Sequence, residues 1–263
     1  MWTALCRHFR ERCASLQGDY RVFVTGDLSA RGEVKSLELV RMLLCGDPSS
    51  GISEESGLRI PPEKLLTVPG NHDVWDGHLL RPNSLQNFCS VFHPDSPYPS
   101  TRVDEIDGVR FIFVGLESTH LKISWNPACK LGRGLVKSPQ LDLAAEFLQS
   151  TKADVRIAFL HHSPITPPGM ERDWTLILEN PEELIEWSLT NAVDALLFGH
   201  IHADYSGVST LKSILKLLPD PRGAESQFLR FESHPAGGPP ANLIHIRGRR
   251  VSRFDSFAYH RIS

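Results

Sequence analysis

Eight side chains stand out by type and spacing: Asp27, Asn71, His72, Asp73, His161, His162, His200 and His202. Carboxylate, amide and imidazole groups lend lone pairs to cations, and imidazole moves protons near neutral pH. Each group follows a short apolar run. Arg21–Thr25 stops at Gly26-Asp27, and Leu65–Val68 stops at Pro69-Gly70 before Asn71-His72-Asp73. Val155–Leu160 stops at His161-His162, and Ala195–Phe198 at Gly199 before His200-Ile201-His202. In α/β sheets ligands bind outside the carboxyl ends of strands, so four strand ends point these groups at one crevice. In a strand-like segment residues two apart face the same side, so His200 and His202 can reach one site.

Each piece alone has a plainer explanation. Gly-Asp is a common turn, and an Asn-His or His-His pair is more often a satisfied polar cluster. The ordered set of strand-end groups is what a chance reading explains badly.

Other segments supply the elements that must position these groups. Trp2, Leu5, Cys6, Phe9, Cys13 and Leu16 recur at helical spacing with charged residues between them, which predicts an amphipathic first helix. Helices are also expected over Glu33–Cys45, Pro82–Phe92, Ser138–Ser150 and Pro181–Asn191, with Ser138 as N-cap and Pro139 in the first turn. Val109–Leu116 is a further apolar strand. Continuous apolar runs separated by helices indicate strands covered on both faces. Phe228–Phe231, Leu243–Ile246 and Arg250–His260 alternate more, and read as antiparallel strands completing a second sheet.

The ordered blocks Gly26-Asp27, Gly70-Asn71-His72-Asp73, His161-His162-Ser163-Pro164 and Gly199-His200-Ile201-His202 resemble those of the calcineurin-like metallophosphoesterases. The likeness is strongest to the branch of cyclic-nucleotide and glycerophosphodiester phosphodiesterases. Gly132-Arg133-Gly134 followed by Ser138-Pro139-Gln140-Leu141 also looks like that branch. The resemblance implies an α/β fold, a four-layer α-β-β-α sandwich of two mixed sheets flanked by helices. It implies one domain over residues 1–263, with a motif core at 21–205 and strands at 226–262 completing the second sheet. It implies two divalent metal ions roughly 3.5–4 Å apart, which activate water for attack on a phosphoester.

Under that resemblance Asp27 bridges both ions, and Asn71, His200 and one of His161 and His162 hold the second. The spacing to Pro164 favours His161, with both left open. His202 holds the first ion. His72 protonates the leaving group or stabilises charge, and Asp73 orients His72. Imidazole, carboxylate and amide donors suit Mn, Fe, Co, Ni or Zn better than Ca.

The family pattern opens with an Asp-x-His block that is absent before Gly26. The expectation is a sheet without its first strand, and a first metal left with Asp27 and His202. An upstream block in a longer chain would complete it. The alternative is a metal-poor pseudoenzyme that binds a nucleotide or a protein.

The whole chain narrows the remaining options. With 263 residues, 41% hydrophobic and 22% charged, it reads as an ordinary globular protein. A net charge of −3 argues against a nucleic-acid or acidic-membrane partner, and a nuclease reading lacks aromatic–basic interleaving. Five scattered cysteines and no membrane-length apolar run favour a reducing, cytoplasmic setting. The resemblance implies a small phosphoester as the partner. Residues Asp76–Tyr98, Ser118–Gly134 and Pro164–Asp173, with Trp75, Trp125 and Trp174 in or near them, are the candidate substrate loops.

Overall fold

A computed structural model describes residues 2–15, 19–46, 57–75, 85–94, 98–119, 132–165 and 177–200, and the strand segments 208–210, 227–230, 241–247 and 250–257. Among the described residues the order is α1 (Trp2–Ala14), β1 (Val22–Val24), α2 (Val34–Cys45), β2 (Leu65–Thr67), α3 (Asn71–Val74) and α4 (Leu85–Phe92). Next come β3 (Ser100–Ile106), β4 (Val109–Gly115), α5 (Ser138–Ser150), β5 (Val155–Phe159), α6 (Pro181–Thr190) and β6 (Ala195–Phe198). Four strands close the chain: β7 (Val208–Thr210), β8 (Gln227–Arg230), β9 (Ala241–Arg247) and β10 (Arg250–Phe257).

The largest sheet has the order β3-β4-β5-β6-β8-β7, with β4, β5, β6 and β8 parallel. Period-two alternation splits its apolar residues between two cores. Phe111, Phe113, Ile157, Phe159, Ala195 and Leu197 face Phe23 and Leu66 of the parallel pair β1–β2 and Val68 just beyond it. Ile112, Val114, Ala158, Leu196 and Phe198 face the opposite way, onto Leu141, Ala144 and Leu148 of α5 and Leu184, Ile185 and Trp187 of α6. Each fully buried Phe or Leu contributes about 1.5–3 kcal/mol by leaving water, so these two layers carry much of the fold's stability. Behind β1–β2, Leu37 of α2 packs with Phe88 and Val91 of α4. The result is the expected mixed α/β arrangement, with two facing sheets between helical layers.

Two expectations change, and one strand is added. Ser138 is the first helical residue rather than the cap; Lys137 takes the cap position, and the Ser138 hydroxyl donates to Glu183 on α6 at 2.7 Å. A partner on a neighbouring helix competes successfully with local capping. The expected strand at Phe228–Phe231 joins the large sheet as β8, parallel to β6, while β9 and β10 pair with each other. Strand β3 went unread in the sequence. Its half-exposed edge pattern lacks the apolar run of a central strand, yet Asp107-Gly108, both at positive φ, marks the two-residue hairpin that pairs it with β4. Among the described residues no helix is long and apolar enough to cross a membrane.

Candidate metal centre

Parallel pairing sets the site's position. β1 and β2 run side by side in the same direction, so the loops after Val24 and Thr67 emerge together. β4, β5 and β6 do the same opposite them, delivering Glu117, His161 and Gly199.

Glycine lets the first two loops touch. The chain leaves β1 through Gly26 at φ 93 and Asp27 at φ 56. A Cβ on Gly70 would stand 2.2 Å from both the backbone nitrogen and the Oδ1 of Asp27. A Cβ on Gly26 would lie 2.4 Å from the Gly70 nitrogen and 2.7 Å from His161 Nδ1. The left-handed backbone at Asp27 costs on the order of 1 kcal/mol, a cost met at functional turns.

His161 is the hub. Its Nδ1 donates to the Thr25 carbonyl oxygen at 2.6 Å. A carbonyl only accepts, so in the neutral ring Nδ1 carries the hydrogen and Nε2 presents a lone pair. That Nε2 lies 3.0 Å from Asn71 Oδ1, 3.0 Å from His200 Nδ1 and 3.5 Å from Asp27 Oδ2. Four strand ends thus bring two nitrogens and two oxygens to one point. Neighbouring donors around one ion at roughly 2.1 Å stand about 3 Å apart in octahedral geometry. Two lone-pair atoms at 3.0 Å repel unless positive charge lies between them. The donor set therefore fits a first-row divalent ion, and the carbonyl behind His161 is the kind of support that aims a ligating imidazole.

His162 is tied down differently. It is fully buried, with Nδ1 at 2.9 Å from Ser118 Oγ, and the same hydroxyl accepts the His162 backbone N–H at 3.1 Å. Burial first, and then the neighbouring rings of His200 and His161, hold its pKa well below the usual imidazole value, so it is neutral. The ring nitrogens of His161, His162 and His200 lie within 4.8 Å of one another, but it is His161 Nε2 that meets Asn71, Asp27 and His200, while His162 Nδ1 is turned to Ser118.

The remaining expected residues are placed as follows. His72 and Asp73 sit in the short helix α3, directly after Asn71. The His72 backbone N–H donates to Asp27 Oδ1 at 3.2 Å, and its ring meets Trp75 edge-on at 6.3 Å between centroids. Asp73 is fully buried; burial is the main influence raising its carboxyl pKa, opposed by backbone N–H bonds. His200 lies beyond the end of β6 at φ 75, so the chain turns there instead of continuing extended. Strand periodicity thus does not relate His200 to His202, and His202 lies outside the described residues. Trp125, Trp174 and most of the candidate substrate loops also lie outside them.

The end of β4 adds polar residues outside the expected set. Glu117 and Ser118 are buried there, and Ser118 is the residue that bonds His162. Gln140 of α5 grips Glu117 like a strand partner: the Glu117 N–H donates to Gln140 Oε1 at 2.7 Å, and Gln140 Nε2 donates to the Glu117 carbonyl at 2.9 Å. The signal was present, since Val109–Leu116 is an apolar run stopping at Glu117-Ser118, just as the other runs stop at the expected ligands.

Comparison with known proteins agrees with this geometry. The calcineurin-like phosphoesterase family matches residues 2–204. A probable cyclic nucleotide phosphodiesterase of Coxiella burnetii is 24% identical over 197 residues, covering 73% of this chain and 64% of that protein. The chain thus spans less than two thirds of that relative's length. The solved structure of PhoD superposes with a TM-score of 0.55 at 12% identity, over 90% of this chain and 55% of that one, a likeness of fold. With the family match running over most of its length, the chain belongs to the calcineurin-like phosphoesterase family.

Proposed function

We propose that this chain hydrolyses a small phosphoester, a phosphodiester or a phosphomonoester, with divalent metal ions held at the strand ends. The observation that carries the reading is the convergence on His161 Nε2 of Asn71 Oδ1, His200 Nδ1 and Asp27 Oδ2. In this reading Asp27, Asn71, His161 and His200 hold one ion, and Asp27 and His202 contribute to a second. Mn, Fe, Zn, Co or Ni suit such donors. Ions bound there would polarise phosphoryl oxygens and lower the pKa of water.

The chain's own groups do the rest. The Thr25 carbonyl keeps His161 in the tautomer that offers Nε2. Gly70 lets its loop close onto Asp27, and Asn71, next in the chain, brings its amide oxygen to His161 Nε2. His72, half-buried and one residue beyond Asn71, gives its proton to the departing oxygen of the ester. His162 stays neutral, so it adds no positive charge to oppose a bound cation. The Coxiella relative's name, a probable cyclic nucleotide phosphodiesterase, supports a nucleotide-type diester as one substrate class.

The test is turnover of an aryl phosphodiester and an aryl phosphomonoester by the full-length protein with Mn, Co or Zn supplied. Metal-dependent release of the aryl alcohol, lost in Asn71→Ala, is the expected result. No turnover of either ester with any of these metals would overturn the reading.

A further inference from the structure

The carboxylate of Asp73 is saturated by donors from the two loops that carry the oxygen ligands. Its Oδ1 accepts the Ser29 N–H at 2.8 Å and the Ser29 hydroxyl at 3.0 Å. Its Oδ2 accepts the Leu28 N–H at 3.1 Å and the Gly70 N–H at 2.9 Å. A carboxylate offers about four lone-pair directions, and these bonds occupy them all. No direction is left for an imidazole N–H, so the carboxylate is not built to orient His72.

The donors are telling by position. Leu28 and Ser29 directly follow Asp27, and Gly70 directly precedes Asn71. One buried side chain therefore bolts the backbone on the far side of Asp27 to the backbone on the near side of Asn71. The bolt sits where it is needed, because Asp27 is held at φ 56 and a relaxed backbone there would swing its carboxylate away. The His72 N–H to Asp27 Oδ1 bond and the Gly32 N–H to Trp75 carbonyl bond, at 2.8 Å, join the same two loops on either side. Neither fixes both loops through a single group.

We propose that Asp73 is a positioning residue for metal affinity: it sets the separation between the Asp27 carboxylate and the Asn71 amide oxygen, and acts on the ion through them. The proposal rests on the metal-binding reading above. It separates two roles for one residue. A loop bolt governs how tightly the ion binds; a partner of His72 would govern proton transfer with the ion already bound.

The experiment measures Mn affinity by calorimetry in the full-length protein, together with kcat and its pH profile at saturating Mn. In Asp73→Asn one acceptor oxygen becomes an amide NH2 that faces backbone N–H donors, those of Leu28 and Gly70 at the Oδ2 position or that of Ser29 at the Oδ1 position. The expected result is Mn affinity weaker by about 10- to 100-fold, the range for groups that support metal ligands, with kcat and pH profile recovering at saturating Mn. His72→Ala should bind Mn within about threefold of wild type and lose kcat, since it removes a proton donor and no ligand. Wild-type Mn affinity in Asp73→Asn, with kcat lowered and the pH profile altered at saturation, would overturn the proposal in favour of a partner of His72. If Asp73→Asn does not fold, Ser29→Ala decides the matter, since it removes only the hydroxyl bond. A twofold or greater loss of Mn affinity supports the bolt, and unchanged affinity overturns it. Wild-type protein that binds no Mn would overturn the metal-binding reading as well.

Discussion

His161 Nε2 stands 3.0 Å from Asn71 Oδ1, although the two residues are 90 positions apart in the chain. The contact joins the end of β5 to the end of β2, and so links the two facing sheets at the site. Asn71 and His200 flank this nitrogen without taking part in either core, which makes them separable from stability.

Asn71→Ala and His200→Ala should each lower metal-dependent turnover by at least about 100-fold, since each removes a direct donor instead of a supporting one. Melting temperatures should stay near that of the wild type. Turnover on an aryl phosphate ester and a thermal scan check both halves, and unchanged turnover in either variant refutes the metal assignment.

His161 and His162 should respond differently despite being neighbours. His161→Ala is expected to abolish Mn binding. His162→Ala opens a cavity and strands the Ser118 hydroxyl, so it should cost about 2–4 kcal/mol of stability while leaving Mn binding measurable. Urea unfolding and Mn calorimetry separate the two; loss of Mn binding in a folded His162→Ala protein would move the ligand role to His162.

Gly70→Ala is expected to be far worse than an ordinary surface change. The added methyl would meet backbone and carboxylate of Asp27 at 2.2 Å, and neither is a flexible end that can move aside. Overpacking of this kind costs about 1–3 kcal/mol or more, and relief requires the two loops to part. Reduced stability and weakened Mn binding together are the expected outcome; a variant with wild-type metal affinity would show that the loops need not touch.

Gln140→Leu should destabilise by about 1–3 kcal/mol, because it leaves a buried N–H and a buried carbonyl of Glu117 without their partner. Since Ser118 follows Glu117 and holds His162, mobility should spread to the histidines. Chemical-shift changes at the imidazoles of the folded variant would report it, and histidine spectra identical to wild type would confine the effect to β4.

A pH effect is expected away from the centre. His93 lies half-buried behind β2, its Nε2 at 3.1 Å from the Thr67 carbonyl and 2.9 Å from Thr67 Oγ1, with its ring 5.3 Å from that of Tyr98. Burial lowers its pKa below the usual imidazole value. A histidine with a depressed folded pKa binds fewer protons folded than unfolded. The stability it supports is complete above the unfolded value of about 6.5 and is lost as pH falls below it, through the folded value. Urea midpoints measured from pH 8 to pH 5 should therefore drop more steeply in wild type than in His93→Gln. Parallel slopes would show that another group carries the acid sensitivity.

Much of this protein was legible in its residues. The apolar runs Val109–Leu116, Val155–Leu160 and Ala195–Phe198 announced doubly covered strands, because a strand buried on both faces is apolar at nearly every position. Their polar stops announced the site, because parallel strands discharge at a common edge. The sequence by itself determined the fold family, the residue types that meet and the chemistry open to them. Tertiary structure decided what each group does there. That the Thr25 carbonyl selects the His161 tautomer, that Ser118 claims His162, that Ser138 bonds across to α6 and that Asp73 spends its lone pairs on Leu28, Ser29 and Gly70 all depend on partners from 3 to 136 positions away. Periodicity reports which face a residue lies on. Only the packed backbone decides which lone pairs and which hydrogens come within 3 Å of each other.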